Sequence, residues 1–198
     1  GPTDPMVTYF LAYDPVSGLV VAAPYSEPGP TWWNYDVETD TWTPIHQANA
    51  GPTELVVIAY DASVDRLVAH GDGAYETWLL DIRSGTWSRS AAERPAVNAE
   101  CMCAPWIVYD EAAERTLIFL RDPLTAYDAR ADRWEILAAF RKLWEVAPSV
   151  YVYDAVNRRL VGWREGGNRN QETAVVAFDL VTREWAVLLE PSEAQAAP

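Results

Sequence analysis

The chain has 198 residues, with 29 acidic against 15 basic side chains and a formal net charge of −14. Such a surface repels the phosphate backbone and the anionic membrane face, so nucleic acid and membranes are excluded as expected partners, and the acidity reads as a solubility device. No apolar run approaches the length of about 18 residues that a spanning helix needs.

Ten Trp, ten Tyr and four Phe, together with fourteen Pro and ten Gly, suit many short strands separated by turns. Two cysteines, Cys101 and Cys103, stand too close together to staple distant segments. Gly1-Pro2 reads as the remnant of a cleaved tag, so residues 1–5 are taken as a lead-in and 191–198 as a tail. The compartment stays open.

From residue 6 to residue 190 one pattern recurs four times: an aromatic or aliphatic residue, then Asp, then Trp six residues after the Asp. The copies are Tyr35-Asp36 with Trp42, Leu80-Asp81 with Trp87, Tyr127-Asp128 with Trp134, and Phe178-Asp179 with Trp185. Upstream of each stands a Tyr-Asp pair closing an apolar stretch: Tyr13-Asp14, Tyr60-Asp61, Tyr109-Asp110 and Tyr153-Asp154. A Leu follows each pair, at Leu19, Leu67, Leu117 and Leu160.

Each unit therefore predicts four short strands, with boundaries near 6–46, 54–90, 104–137 and 149–189 in a single domain. Such a unit is one blade of an all-β propeller, and each blade is expected to be a four-stranded antiparallel sheet. The first strand of a blade, as in 55–59 or 106–108, is nearly all apolar and expected to be buried on both faces. The last strand is interrupted by Arg89 or Glu135, or carries Pro44, as suits an outer edge. The repeated Asp residues are expected to cap their own turns, and the repeated Trp residues to be buried between neighbouring blades.

The Tyr-to-Trp spacing of seven in Tyr35 to Trp42 and Tyr127 to Trp134 resembles the kelch repeat, and the resemblance implies a β-propeller with four-stranded antiparallel blades. The chain departs from the kelch pattern where a Gly-Gly doublet is expected: only Gly71-Asp72-Gly73 and Gly166-Gly167 approximate it. A lesser similarity, in Asp61-Ala62, Asp154-Ala155 and the count of four, is to hemopexin-like propellers with four blades. A closed monomeric ring is preferred over a homodimer of half-rings with eight blades, because half-rings would expose large apolar blade faces.

Alternation of strand direction places the regular Asp turns at one end of every blade and the irregular loops at the other. The loops span residues 24–31, 46–54, 71–76, 88–104, 138–149 and 164–173. Variable loops on a rigid frame are where binding resides. Tyr25, Glu27, Tyr75, Glu76, Arg141, Trp144, Arg164, Asn168, Arg169 and Asn170 are the candidate binding residues there, of types that stack on and hydrogen-bond to a carbohydrate or a peptide. Apolar residues at 137, 140, 143 and 144 have helical spacing and predict a turn or two of helix.

His46, His70, Cys101 and Cys103 are all the His and Cys in the chain and fall on or near the loop end; they are the candidate set for zinc or another soft metal, without matching a zinc-finger spacing. No phosphate-binding glycine loop, nucleophile elbow or zinc-protease helix is present; with 29 acids on a ring, a carboxylate pair across the central channel, for instance near Glu54 and Glu100, stays open. The expected function is a non-enzymatic module, free of cofactor, that recognises a protein or glycan through the loop end. The alternatives are a small metal-dependent enzyme or metal-binding propeller using His46, His70, Cys101 and Cys103, and a self-associating half of a larger propeller.

Overall fold

The computed structural model describes residues 9–24, 32–52, 57–71, 76–93, 95, 106–119, 123–138, 150–164 and 174–189. Sixteen strands account for most of them. The first blade holds β1 (Tyr9–Asp14), β2 (Leu19–Pro24), β3 (Trp33–Asp36) and β4 (Thr41–Pro44). The second holds β5 (Val57–Asp61), β6 (Arg66–His70), β7 (Thr77–Asp81) and β8 (Thr86–Arg89). The third holds β9 (Trp106–Asp110), β10 (Arg115–Phe119), β11 (Leu124–Asp128) and β12 (Arg133–Ala138), and the fourth β13 (Val150–Asp154), β14 (Arg159–Arg164), β15 (Ala174–Asp179) and β16 (Trp185–Leu189).

Each blade is a separate four-stranded sheet in simple sequential order, as the repeat predicts. Among the described residues there is no helix. The helical spacing from residue 137 is overridden at its start, where Leu137 and Ala138 complete β12; residues 139–149 lie outside the described residues.

Every tight turn is built alike. In the first blade the Asp14 carboxylate accepts the Val16 and Ser17 N–H groups, and in the second the Asp81 carboxylate accepts those of Arg83 and Ser84. Four residues after each turn Asp the chain takes the left-handed conformation: Gly18, Asp40, Asp65, Gly85, Glu114, Asp132, Arg158 and Arg183, with φ between 47° and 73°. Six of these are not glycine, and at three of them a local hydrogen bond offsets the strain. Asp40, Asp65 and Asp132 each accept a hydrogen bond, of 2.6 to 2.8 Å, from the Tyr hydroxyl five residues earlier, Tyr35, Tyr60 and Tyr127. Gly85 needs to be glycine for a second reason: a Cβ there would collide with the His46 carbonyl oxygen.

The chain divides into two compact units: Gly1–Ala96 with Ile107–Ile118 and Ala126–Glu135, and Val97–Trp106 with Phe119–Thr125 and Ile136–Pro198. In the first unit the strand registers sort side chains onto two faces. The front face of a blade carries its repeat Trp. In the second blade the register joins Tyr60, Leu67, Leu80 and Trp87 across one row of that face, and Ile58, Ala69 and Trp78 across the next. This front face packs on the back face of the first blade, Phe10, Ala12, Val21 and Ala23, together with Trp32 and Ile45, in one core cluster. Trp32 meets Trp87 edge to face at 5.1 Å.

The step from the second blade to the third is more polar. Thr116 donates to the buried Asp61 carboxylate at 3.0 Å, and the His70 ring meets Trp134 edge-on at 5.9 Å. In the second unit Tyr151 packs on Phe119 at 4.6 Å and on Trp106 at 5.6 Å.

Two expectations are corrected here. Val57 to Asp61 is buried at every position, but β1 alternates: Leu11 and Tyr13 are exposed, while Ala12 and Asp14, on the face turned to the second blade, are buried. Of the repeat Trp residues only Trp87 is buried; Trp42, Trp134 and Trp185 are half-buried, and Trp42 stacks on its own strand neighbour Tyr35 at 4.7 Å.

Candidate functional site

Within each sheet the Asp turns occupy one end and the long connections the other, which follows from antiparallel order. The turn end offers little free chemistry. Asp14, Asp61 and Asp110 are buried, and the carboxylates of all eight turn Asp residues accept hydrogen bonds within their own turns. Backbone N–H donation from Thr39 holds Asp36 below its ordinary carboxylate value, and donation from Thr182 does the same for Asp179. Asp61 goes the other way: burial raises it, against the hydrogen bonds from Ser63 and Thr116.

The connections at the other end run from Pro24 to Trp33, Pro44 to Val57, His70 to Thr77, Arg89 to Trp106, Phe119 to Leu124, Ala138 to Val150 and Arg164 to Ala174, and no two are equal in length. Of the candidate binding residues, Tyr25, Glu27, Tyr75, Arg141, Trp144, Asn168, Arg169 and Asn170 lie outside the described residues. Arg164 closes β14, opposite Ala174. Glu76 is tied into the blade: it pairs with Arg89 at 2.8 Å and accepts the Trp78 indole N–H at 3.0 Å.

His70 is fully buried in β6, with Nδ1 at 3.0 Å from the Thr77 hydroxyl, while His46 is exposed just after β4. Among the described residues no group of three or more His, Cys, Asp and Glu is arranged to hold a metal ion. Cys101 and Cys103, and likewise Glu54 and Glu100, lie outside the described residues.

The linker after the first blade has a structural task that the sequence did not signal. Asn49 forms a double bridge to the outer strand of the second blade, accepting the Trp87 N–H at 2.7 Å and donating to the Trp87 carbonyl at 2.9 Å. Gln47 accepts the Trp87 indole N–H, and the Ala48 N–H binds the Gly85 carbonyl. The bridge satisfies backbone groups on an outer strand that would otherwise template pairing with another chain. The linker after the second blade is tied differently: the Ser90 hydroxyl and the Ala91 N–H donate to the Asp132 carboxylate in the turn before β12.

A cleft of about 430 Å3 beside β12 is lined by Ala113, Arg115, Ala126, Asp128, Arg133, Trp134 and Glu135. Sequence reasoning passes over it because Arg66, Arg115 and Arg159 recur at the same repeat position and read as frame residues. Its charges are matched internally, Arg115 with Glu135 at 2.7 Å and Arg133 with Asp128 at 3.5 Å, so little net charge is left for a ligand.

No protein-family model matches the chain, and no curated protein does. Solved structures do. The extracellular domain of a hybrid two-component system from Bacteroides thetaiotaomicron matches with a TM-score of 0.60 at 11% identity, over 98% of this chain and 23% of that one. A chain of the nidogen/laminin complex matches with a TM-score of 0.58 at 14% identity, over 96% of this chain and 82% of that one. TolB from Acinetobacter baumannii matches with a TM-score of 0.57 at 11% identity, over 92% of this chain and 43% of that one. At such identities the likeness carries the fold alone, and together with the four sequential four-stranded sheets it makes this an all-β protein of the propeller type.

Proposed function

We propose that the chain is a non-enzymatic interaction module of kelch-like blades that recognises a protein or a glycan through the loops opposite its Asp turns. The observation that carries this reading is the asymmetry of the blade ends. One end is eight copies of a single turn whose polar groups bond to one another, and the other gathers every connection of irregular length.

The chemistry of the loops supports it as well: Tyr25, Trp144, Arg164, Asn168 and Asn170 offer flat aromatic faces and planar hydrogen-bonding groups, the combination that reads sugar rings and extended peptides. The extracellular domain of a two-component system and a chain of a nidogen/laminin complex among the structural neighbours are settings in which such a role fits. Fold does not dictate function, so the test is direct.

The chain is screened against an oligosaccharide array and a displayed peptide library, and the best binder is titrated against two variants. Trp144→Ala is expected to weaken binding at least about tenfold, the cost of removing one stacking contact of about 1.4 kcal/mol. Val156→Ala, at an exposed turn-end position, is expected to leave it unchanged. Loss of binding with Val156→Ala alone, or no binder in either library, contradicts the reading.

A further inference from the structure

The outer strand of the second blade is covered by a segment that is not itself a strand. Residues 46–51 run along β8, and three backbone groups on its outward edge bond to them. The Ala48 N–H donates to the Gly85 carbonyl at 2.9 Å, Asn49 Nδ2 donates to the Trp87 carbonyl at 2.9 Å, and the Trp87 N–H donates to Asn49 Oδ1 at 2.7 Å. In an antiparallel ladder a residue of a hydrogen-bonded pair gives its N–H to the residue opposite and takes one in return. The Asn49 amide makes that same exchange with Trp87, so a side chain stands where a neighbouring strand would.

The cover fits closely. A Cβ at Gly51 would come within 2.5 Å of the Trp87 indole, and one at Gly85 would collide with the His46 carbonyl oxygen. It is also shallow: residues 46–50 are exposed. A segment that buries little of its own surface and is held by a few hydrogen bonds opens locally while the sheet beneath it stays folded.

We propose that residues 46–51 are a latch over a strand-addition site, and that the occupant it excludes is the same edge of a second copy of the chain. Two-fold symmetry makes an antiparallel edge its own partner. With Trp87 of two copies facing each other, each N–H reaches the other's carbonyl, and the two bonds made by Asn49 are replaced one for one. Two residues on, the Arg89 N–H lies in the same outward row and meets the Gly85 carbonyl that Ala48 otherwise holds. Every group released by the latch thus finds a partner in the second copy.

Light scattering up to about 100 μM, which registers pairs with a dissociation constant of that order, compares the parent with Asn49→Ala and with the double variant Asn49→Ala/Arg89→Pro. Asn49→Ala is expected to gain a species of twice the parent's mass. In dilute solution its Trp87 amide is expected to exchange with deuterium at least about tenfold faster than the parent's, the mark of an open latch, and to regain protection as concentration rises. The double variant lacks one outward N–H and is expected to keep the fast exchange together with the parent's mass. Circular dichroism reports that each variant is folded at the assay temperature. Should Asn49→Ala not be, Asn49→Leu, which keeps bulk against the strand and removes both bonds, takes its place. A mass equal to the parent's at every concentration overturns the proposal. So does a Trp87 amide that stays protected in the dilute single variant, or association that survives Arg89→Pro.

Discussion

In the second blade Ile58 and Tyr60 are 4% and 6% exposed; at the same strand positions of the first blade Leu11 and Tyr13 are left in solvent. Sequence gives no hint of this, because both segments are an apolar stretch ending in Tyr-Asp. The difference lies in the neighbour. The front of the second blade has the back of the first against it, whereas Leu11 and Tyr13 stand on the face of β1 that points away from that contact. A repeat residue thus contributes stability through the interface that it enters, and identical residues count for unequal amounts. Full burial of one Ile or Leu side chain stabilises by about 1.5–3 kcal/mol over exposure, so the inequality is measurable.

The largest expected gap is between the two repeat Trp residues. Trp87→Ala removes a buried indole that touches Trp32 and takes the Gln47 bridge with it, and is expected to cost about 3–5 kcal/mol in denaturant unfolding. Trp42→Ala loses mainly the stack on Tyr35 and is expected to cost about 0.5–1.5 kcal/mol. Equal costs would break the comparison.

Next comes the pair on the inner strands. Ile58→Ala is expected to cost about 2–5 kcal/mol in denaturant unfolding, and Leu11→Ala less than about 0.5 kcal/mol; equal costs would break the comparison here too.

The smallest effect concerns the turns, which should behave alike in every blade. The Asp179 carboxylate is held below its ordinary value of 3.8, chiefly by the Thr182 and Val181 N–H groups. Its folded-state value is therefore lower than its unfolded one, so its stabilisation is present above 3.8 and is lost as pH falls through the folded value. Thermal melts from about pH 5 to about pH 2, the window in which such a carboxylate titrates, are expected to fall more steeply for the parent chain than for Asp179→Asn. Parallel curves would mean that the turn contributes nothing through its charge.

Much of the frame was legible because turn chemistry is local. An Asp at the head of a tight turn specifies its own hydrogen bonds, and Asp36, Asp81, Asp128 and Asp179 mark their turns without tertiary help. The left-handed residue four places on escapes the repeat pattern, although Tyr35 with Asp40, Tyr60 with Asp65 and Tyr127 with Asp132 form a second fixed spacing that marks it. Burial was not legible, since it depends on which blade stands next. Nor was the Asn49 bridge, in which one side chain satisfies a strand edge 38 residues away.

The candidate site was legible only as a place. His70, chosen for its ring, turns out to be a core residue bonded to Thr77, and Glu76, chosen for its loop, is pinned by Arg89. Neither tie could be read from spacing, because both partners lie across a strand pairing.

Hydroxyl-radical footprinting of the dilute chain, read at Tyr13 and Tyr60 by peptide mass analysis, tests the central claim most directly. With Tyr60 sealed under the back of the first blade and Tyr13 exposed, Tyr13 is expected to be oxidised about tenfold faster, in step with their exposures of 56% and 6%. Comparable protection of the two tyrosines would contradict the account, since burial would then follow the repeat position and not the neighbouring blade.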